Sequence, residues 1–160
     1  MQEKLPVMIG QLTTEQVEDV LRSNILGRIG CRDGDKIYVV PITYLYDGRA
    51  IIGHSLEGMK IRLMRKYPQI CFEVDEVKSF SNWRSVVAWG EYQELTTERD
   101  RYQAMKLFVD RMIHLKISET ARPPELNEIR MHPRSAGQMK PVVFRILLTE
   151  KTGRFENKAD

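Results

Sequence analysis

Residues able to bind an anion cluster between Ser55 and Arg62, where a β-strand pattern passes into a short basic helix pattern. Gly58 stands at the predicted start of that helix, where unpaired backbone N–H groups and the positive end of the helix dipole favour a negatively charged group. Lys60 and Arg62 add positive charge, and Ser55 adds a hydroxyl donor. These residue types favour a phosphate site, although a helix with solvated basic residues has the same pattern.

His54 ends the strand pattern before that helix. Its imidazole could donate a hydrogen bond to a bound molecule or titrate near neutral pH. A histidine in this position often serves only as a structural hydrogen-bond donor, so both roles stay open. His54, Cys31 and Cys71 lack the spacing of metal ligands, and we expect no metal site.

Two strand segments offer walls for a flat ligand: Val39–Ile42 and Trp83–Val86. A planar heterocycle such as isoalloxazine needs an apolar wall and backbone donors along its pyrimidine edge. An edge strand with a bulge supplies both. Pro41 favours such an edge, because a proline donates no hydrogen bond to a neighbouring strand. Ordinary barrel core is the alternative for both segments.

The chain lacks the common signatures of catalysis by side chains alone. It contains no G-x-S-x-G elbow, no H-E-x-x-H helix and no catalytic-cysteine pattern. No G-x-G-x-x-G motif opens a helix, which argues against a Rossmann dinucleotide site. Any reaction is therefore expected to belong to a bound cofactor.

The elements that must position these residues are mostly strands. Asp33-Gly34 and Asp47-Gly48 are hairpin turn signals between apolar runs. Six strands are predicted, and hairpins joining them favour an antiparallel β-barrel with peripheral helices, an α+β and mainly β fold. The six runs pass through Ile29 and Cys31, span Lys36–Tyr46, end at His54-Ser55, pass through Ile70–Val74, and span Trp83–Leu95 and Pro141–Thr149.

Three helices are predicted outside the barrel. Thr13 and Gln16 have capping-box spacing before a helix over about Thr14–Ser23. The second is the short basic helix after Gly58, and Thr97 caps the third and longest. One domain is expected over residues 1–160, with an extended arm at 1–12, a loop or lid at 118–140 and a polar tail at 150–160.

Composition limits the function classes. The 160 residues are 42% hydrophobic and 29% charged, with a net charge of +3, as in a globular domain. No dense basic stripe with interleaved aromatics predicts nucleic-acid binding, and no apolar run is long enough for a membrane helix. Cys31 and Cys71 have no paired spacing, which favours a reduced, cytoplasmic setting.

Three segments carry a resemblance to a known family. GRIGCRDGDKIYVVPITYLYDG, HSLEGMKIRLMRKYPQICFEVDEV and WRSVVAWGEYQEL follow one another in the chain. Together they resemble the pyridoxamine 5'-phosphate oxidase-like, FMN-binding split-barrel superfamily, and within it the Nim (nitroimidazole-resistance) type flavoproteins. The V-V-P strand, the His-Ser pair, the Gly-x-Lys helix start and the P-x-x-C-F-E strand occur in the family's order, and the likeness runs from about Thr13 to Glu156.

The resemblance implies a six-stranded split barrel that forms a homodimer with FMN in two clefts between the subunits. It further implies an oxidoreductase that passes electrons from a nicotinamide donor, NAD(P)H, to a small electron-poor acceptor such as a nitroimidazole. A non-catalytic protein that binds flavin, haem or deazaflavin is the alternative. His54 is the candidate catalytic residue near the flavin. The implied cofactor-binding residues are Val39, Val40, Pro41 and Ile42 at the ring, His54, Ser55, Gly58, Met59 and Lys60 at the ribityl and phosphate groups, and Trp83, Arg84 and Ser85 from the partner chain.

Three departures from the family pattern qualify these expectations. The arginine-rich segment with which pyridoxamine phosphate oxidases hold their substrate is missing, so vitamin B6 oxidation is not expected. Gly53 stands where relatives usually have an aromatic residue. Met59 stands where the oxidases have an arginine, which predicts a weaker hold on the phosphate.

Overall fold

The computed structural model describes residues 7–113 and 141–158. The predicted lid at 118–140 and the first six residues of the predicted arm lie outside these ranges. The described elements, in chain order, are β1 (Val7–Gln11), α1 (Thr14–Ser23), β2 (Leu26–Asp33), β3 (Lys36–Thr43), β4 (Leu45–Tyr46), β5 (Ala50–Ser55), α2 (Met59–Lys66), β6 (Gln69–Ser79), β7 (Asn82–Glu94), α3 (Glu98–Met112) and β8 (Val142–Lys158).

The strands form one antiparallel sheet in the order β3-β2-β6-β7-β8-β5-β4, and β1 pairs with β8. This confirms the predicted mainly-β fold of split-barrel type with peripheral helices, and the sheet is not closed. The inner face buries the main core, which includes Ile29, Phe72 and Phe144. A second cluster lies under α3, where Met105 and Phe108 pack against Ile52.

The described residues contain eight strands, not the predicted six. The predicted run Lys36–Tyr46 divides at Tyr44, whose backbone N–H donates to Ile25 O at 2.8 Å and whose hydroxyl donates to Leu21 O at 2.9 Å. Both bonds turn the chain away from β3. The other additional strand is β1, which lies in the predicted arm and pairs with the end of β8.

The last strand is longer than predicted. It does not end at Thr149 but continues to Lys158, through most of the predicted polar tail. Its final residues pair with β1 on one side and with β7 on the other, for example Glu156 with Ile9 and with Trp83. Two neighbouring strands satisfy its backbone groups, so polar side chains do not prevent strand formation.

One local prediction is confirmed: Pro41 lies on β3, a strand at the edge of the sheet. Gly90 lies where the β7–β8 register shifts. A Cβ atom there would stand 2.4 Å from Leu147 O. Only a residue without a side chain lets the two backbones approach this closely.

Candidate functional site

The start of α2 is open to an anion. Gly58 is the N-cap residue and provides no side-chain hydrogen bond, and the first turn contains no acidic residue. The first N–H groups of a helix have no partner within the helix, and here no capping side chain takes one of them. A Cβ atom at Gly58 would meet only Leu56 O, at 3.9 Å. A ligand atom can therefore come close to the backbone at this point.

Lys60 brings a positive charge to the same turn. Its side chain is half-buried, and burial lowers the pKa of its ammonium group below the ordinary value. The thiol of Cys31 is its electrostatic neighbour, and burial raises the pKa of that thiol to about 11, so it is neutral at pH 7. Within residues 7–113 and 141–158, no carboxylate forms an ion pair with Lys60.

His54 and Ser55 do not share one face of β5. Side chains alternate along a strand, so His54 lies on the side of Ile52, under α3. The imidazole ring packs edge-on against Phe108, with ring centroids 5.1 Å apart. Ser55 lies on the opposite face, and its hydroxyl donates to Leu56 O at 2.9 Å. The predicted ribityl contacts thus divide between the two faces of the strand.

Alternation also divides the predicted ring wall on β3. Ile42 faces the core and is 7% exposed, and Val40 on the same face is half-buried. Val39 is 60% exposed, and Pro41 is exposed beside it on the other side. We call this other side of the sheet the outer face. It also carries Ile37 on β3, Cys71 and Val77 on β6, and Trp89 on β7.

The predicted partner-chain residues on β7 are held by carboxylates of their own chain. Trp83 Nε1 donates to Glu156 Oε2 at 3.2 Å. Arg84 Nη2 donates to Glu76 Oε2 at 2.7 Å and to Asp19 Oδ2 at 3.0 Å. Ser85 Oγ donates to Glu73 Oε1 at 3.4 Å. These contacts fix the three side chains in place.

The sheet separates the two halves of the predicted site. Strands β2 and β6 lie between β3 and β7. Three strand spacings place β3 and β7 about 14 Å apart along the sheet. The ring wall on β3 and the contacts on β7 therefore cannot meet at one position on the sheet of a single chain.

Sequence reasoning missed two features. One is the neighbourhood of Lys60 and Cys31, for which sequence separation gives no signal. The other is a shallow groove of about 190 Å³ on the outer face, lined by Gly30, Ile37, Cys71 and Trp89 among others. Strand alternation places Cys31 and Cys71 on opposite faces of the sheet. In the described part of the chain, no three His, Cys, Asp or Glu side chains cluster as metal ligands would.

A family model described as pyridoxamine 5'-phosphate oxidase matches residues 13–154. An uncharacterised protein of Rhizobium meliloti (strain 1021) is 37% identical over 84 residues, which are 52% of this chain and 56% of that protein. The chain thus matches little more than half the length of this curated relative. None of the helices in the described residues is long and apolar enough to cross a membrane.

Solved structures share the fold. An FAD-binding protein from Mesorhizobium loti has a TM-score of 0.68 and 26% identity, with 96% of this chain and 100% of that chain covered. A candidate 5-nitroimidazole antibiotic resistance protein from Bacteroides thetaiotaomicron has a TM-score of 0.70 and 16% identity, with 98% and 93% covered. At that identity the second likeness concerns the fold alone.

Proposed function

The chain belongs to the pyridoxamine 5'-phosphate oxidase family, and from this premise we propose that it is an FMN-binding oxidoreductase. The proposed reaction passes electrons from a nicotinamide donor to a small electron-poor acceptor of the nitroaromatic type. The observation that carries the proposal is the open start of α2, where Lys60 stands half-buried without a described carboxylate partner. The match over residues 13–154 confirms the resemblance to this family that the sequence showed.

The residues at this turn fit a flavin phosphate. Unpaired N–H groups after Gly58 and the ammonium of Lys60 supply donors and positive charge. The exposed Met59 contributes no charge. The M. loti protein is named for FAD, so the relatives support a flavin, and the choice of FMN is ours. It rests on a single half-buried cation, which suits one phosphate group.

Once bound, the flavin supplies the electron-transfer chemistry, and the chain's own residues bind and orient. Lys60 and the α2 turn hold the phosphate. Val40, half-buried on the face of the sheet that Cys31 shares, is an apolar contact for the ring on the side of Lys60, and the edge of β3 offers backbone donors. His54, held edge-on by Phe108, stays our candidate for a hydrogen-bond donor or proton carrier beside the acceptor.

We further propose a homodimer with the flavin site between the copies. Two observations support it. The predicted contacts on β3 and β7 lie about 14 Å apart along the sheet of one chain, which favours a second copy as the source of one set. The outer face also exposes large apolar side chains, including Ile37 at 70% and Val39 at 60%, as an interface would. We place the protein in the cytoplasm, since both cysteines are free thiols.

The test begins with purified protein titrated separately with FMN and FAD. We expect the protein to bind FMN and to show an absorbance band at about 450 nm. We also expect a particle with twice the mass of one chain. Turnover of NAD(P)H with a nitroaromatic acceptor should exceed that of free FMN. Turnover equal to free FMN would assign the protein to the non-catalytic alternative, for which haem and deazaflavin titrations follow. Absence of flavin binding contradicts the proposal altogether.

A further inference from the structure

Arg65 on α2 holds two carboxylates at once. Its Nε and Nη2 atoms donate to the two oxygens of Glu94 on β7, at 2.7 and 2.8 Å. Its remaining nitrogen, Nη1, lies 2.7 Å from Glu57 Oε1 and donates to Glu57 Oε2 at 3.1 Å. The two-bond contact with Glu94 fixes the plane of the guanidinium, and one edge of that plane is left for Glu57.

Glu57 stands directly before the open turn of α2. Gly58 is the N-cap of this helix, and Lys60 follows Glu57 by three residues. The positive end of a helix dipole and the unpaired N–H groups of the first turn attract a nearby carboxylate. Glu57 is the carboxylate nearest in sequence to this turn, so it is the chain's own competitor for the donors that we assign to the flavin phosphate.

The structure places the Glu57 carboxylate on Arg65 instead. Both of its oxygens contact Arg65 Nη1, and Lys60 forms no ion pair with it in the described part of the chain. Arg65 lies in the last turn of α2, and its side chain reaches back because helical side chains tilt toward the N-terminus. Its hydrogen bond lowers the pKa of the Glu94 carboxyl below the ordinary value, so Glu94 stays charged at neutral pH and holds Arg65 in place.

The pair between Arg65 and Glu57 adds little to the stability of the fold. The two side chains are 41% and 40% exposed, and water screens ion pairs at such exposure. The Glu94 side chain is less exposed, at 27%, so the contact that anchors α2 to β7 is the one with Glu94. What the pair with Glu57 decides is the position of a negative charge beside the α2 turn.

We propose that Arg65 is a positioning residue of the flavin-phosphate site, which keeps the Glu57 carboxylate away from the α2 turn. This rests on the proposed function, since Lys60 and the turn are the groups assigned to the phosphate. Arg65 acts through Glu57 and does not touch the flavin. Without Arg65, the Glu57 carboxylate and the phosphate compete for the same donors and repel each other.

A double-mutant cycle on Arg65 and Glu57 tests the proposal by titration with FMN. We expect Arg65→Gln to weaken FMN binding about fivefold, because the released carboxylate binds at the start of the helix. Glu57→Gln alone should stay within about twofold of the wild-type affinity, and the double variant should return to that range. Arg22→Gln is the matched control: it removes an arginine that pairs with Glu18 on α1 at 3.6 Å, and it should bind FMN normally.

Other roles for Arg65 give different results. If Arg65 acts only as a distant positive charge, Glu57→Gln strengthens binding as much as Arg65→Gln weakens it, and the two effects add. If it acts only by anchoring α2, the double variant stays weak, because Glu57→Gln does not replace the contact with Glu94. Either result, or wild-type affinity in Arg65→Gln, overturns the inference and leaves the proposed function standing. Wild-type protein that binds no flavin refutes the proposed function, and the role of Arg65 with it.

Discussion

Lys60 illustrates how one residue links the fold to the proposed ligand. Because burial lowers its pKa below the ordinary 10.5, the ammonium is less favourable in the free folded protein than in the unfolded chain. The free energy of unfolding therefore rises with pH as Lys60 deprotonates, in a window that starts below pH 10.5 and closes there. A bound anion favours the charged form, so it reverses this cost.

The charge on Lys60 leads to a prediction for FMN binding. FMN affinity of the wild type should fall from neutral pH toward pH 10.5, because Lys60 loses its proton in that window. Lys60→Arg should keep its affinity, since guanidinium stays protonated. Lys60→Met should lose about 10- to 100-fold in affinity at pH 7 without loss of thermal stability. Isothermal titration across pH measures all three, and equal pH profiles for wild type and Lys60→Arg would place the phosphate elsewhere.

Gly53 gives a physical reason for its departure from the family pattern. It pairs with Phe144 across β5 and β8, and a Cβ atom on Gly53 would stand 2.7 Å from Phe144 Cζ. Phe144 is 1% exposed, so its ring fills the space that an aromatic side chain at Gly53 would need. The core beside Gly53, one residue before His54, therefore has no room for a side chain at position 53.

Elements with strong local signals were predicted well. Helix α1 covers the predicted range, and Thr13 and Gln16 form the predicted capping box. Helix α3 begins after Thr97, the predicted cap, whose side chain accepts a hydrogen bond from Asp100 N.

Predictions failed where tertiary contacts override local pattern. Arg101 on α3 is only 5% exposed, because its guanidinium donates to Pro141 O at 2.9 Å. No periodicity of apolar residues reveals a buried arginine. The site shows the same limit: the sequence predicted Gly58 as the start of α2, but the approach of Lys60 to Cys31 depends on how α2 packs against β2.

Gly90 on β7 lies opposite the bulge in β8, where Thr149 has no partner between the pairs Trp89–Glu150 and Gly90–Leu148. Gly90→Ala should lower the free energy of unfolding by about 1–3 kcal/mol, since the added Cβ would meet Leu147 backbone at 2.4 Å and force the strands apart. Gly30→Ala is the control, because its Cβ would stand 3.5 Å from Cys71 Cβ, an ordinary contact. Urea unfolding of both variants gives the comparison. Equal midpoints would show that the two strands separate without cost.

At the scale of the whole molecule, β8 connects the parts of the sheet. Its 17 residues pair with β5 and β7 in the first half and with β7 and β1 in the second. It therefore connects His54, through Val143, with the β6–β7 hairpin. The end of this strand was predicted as a polar tail because alternating polar residues resemble a loop when their pairing partners are distant in sequence. Here β7 lies about 70 residues earlier in the chain.

The last prediction tests that connection. Removing residues 153–160 should lower the unfolding temperature, because β1 loses its partner and the start of β7 loses a neighbour. The hairpin also loses the bond from Lys158 N to Ser81 O. Phe155→Leu, which keeps the strand and its backbone pairing, serves as the control and should unfold closer to the wild-type temperature than the truncated protein does. A truncated protein with unchanged stability would mean that these residues fray in solution. In that case the end of β8 would give β1 and the start of β7 no measurable support.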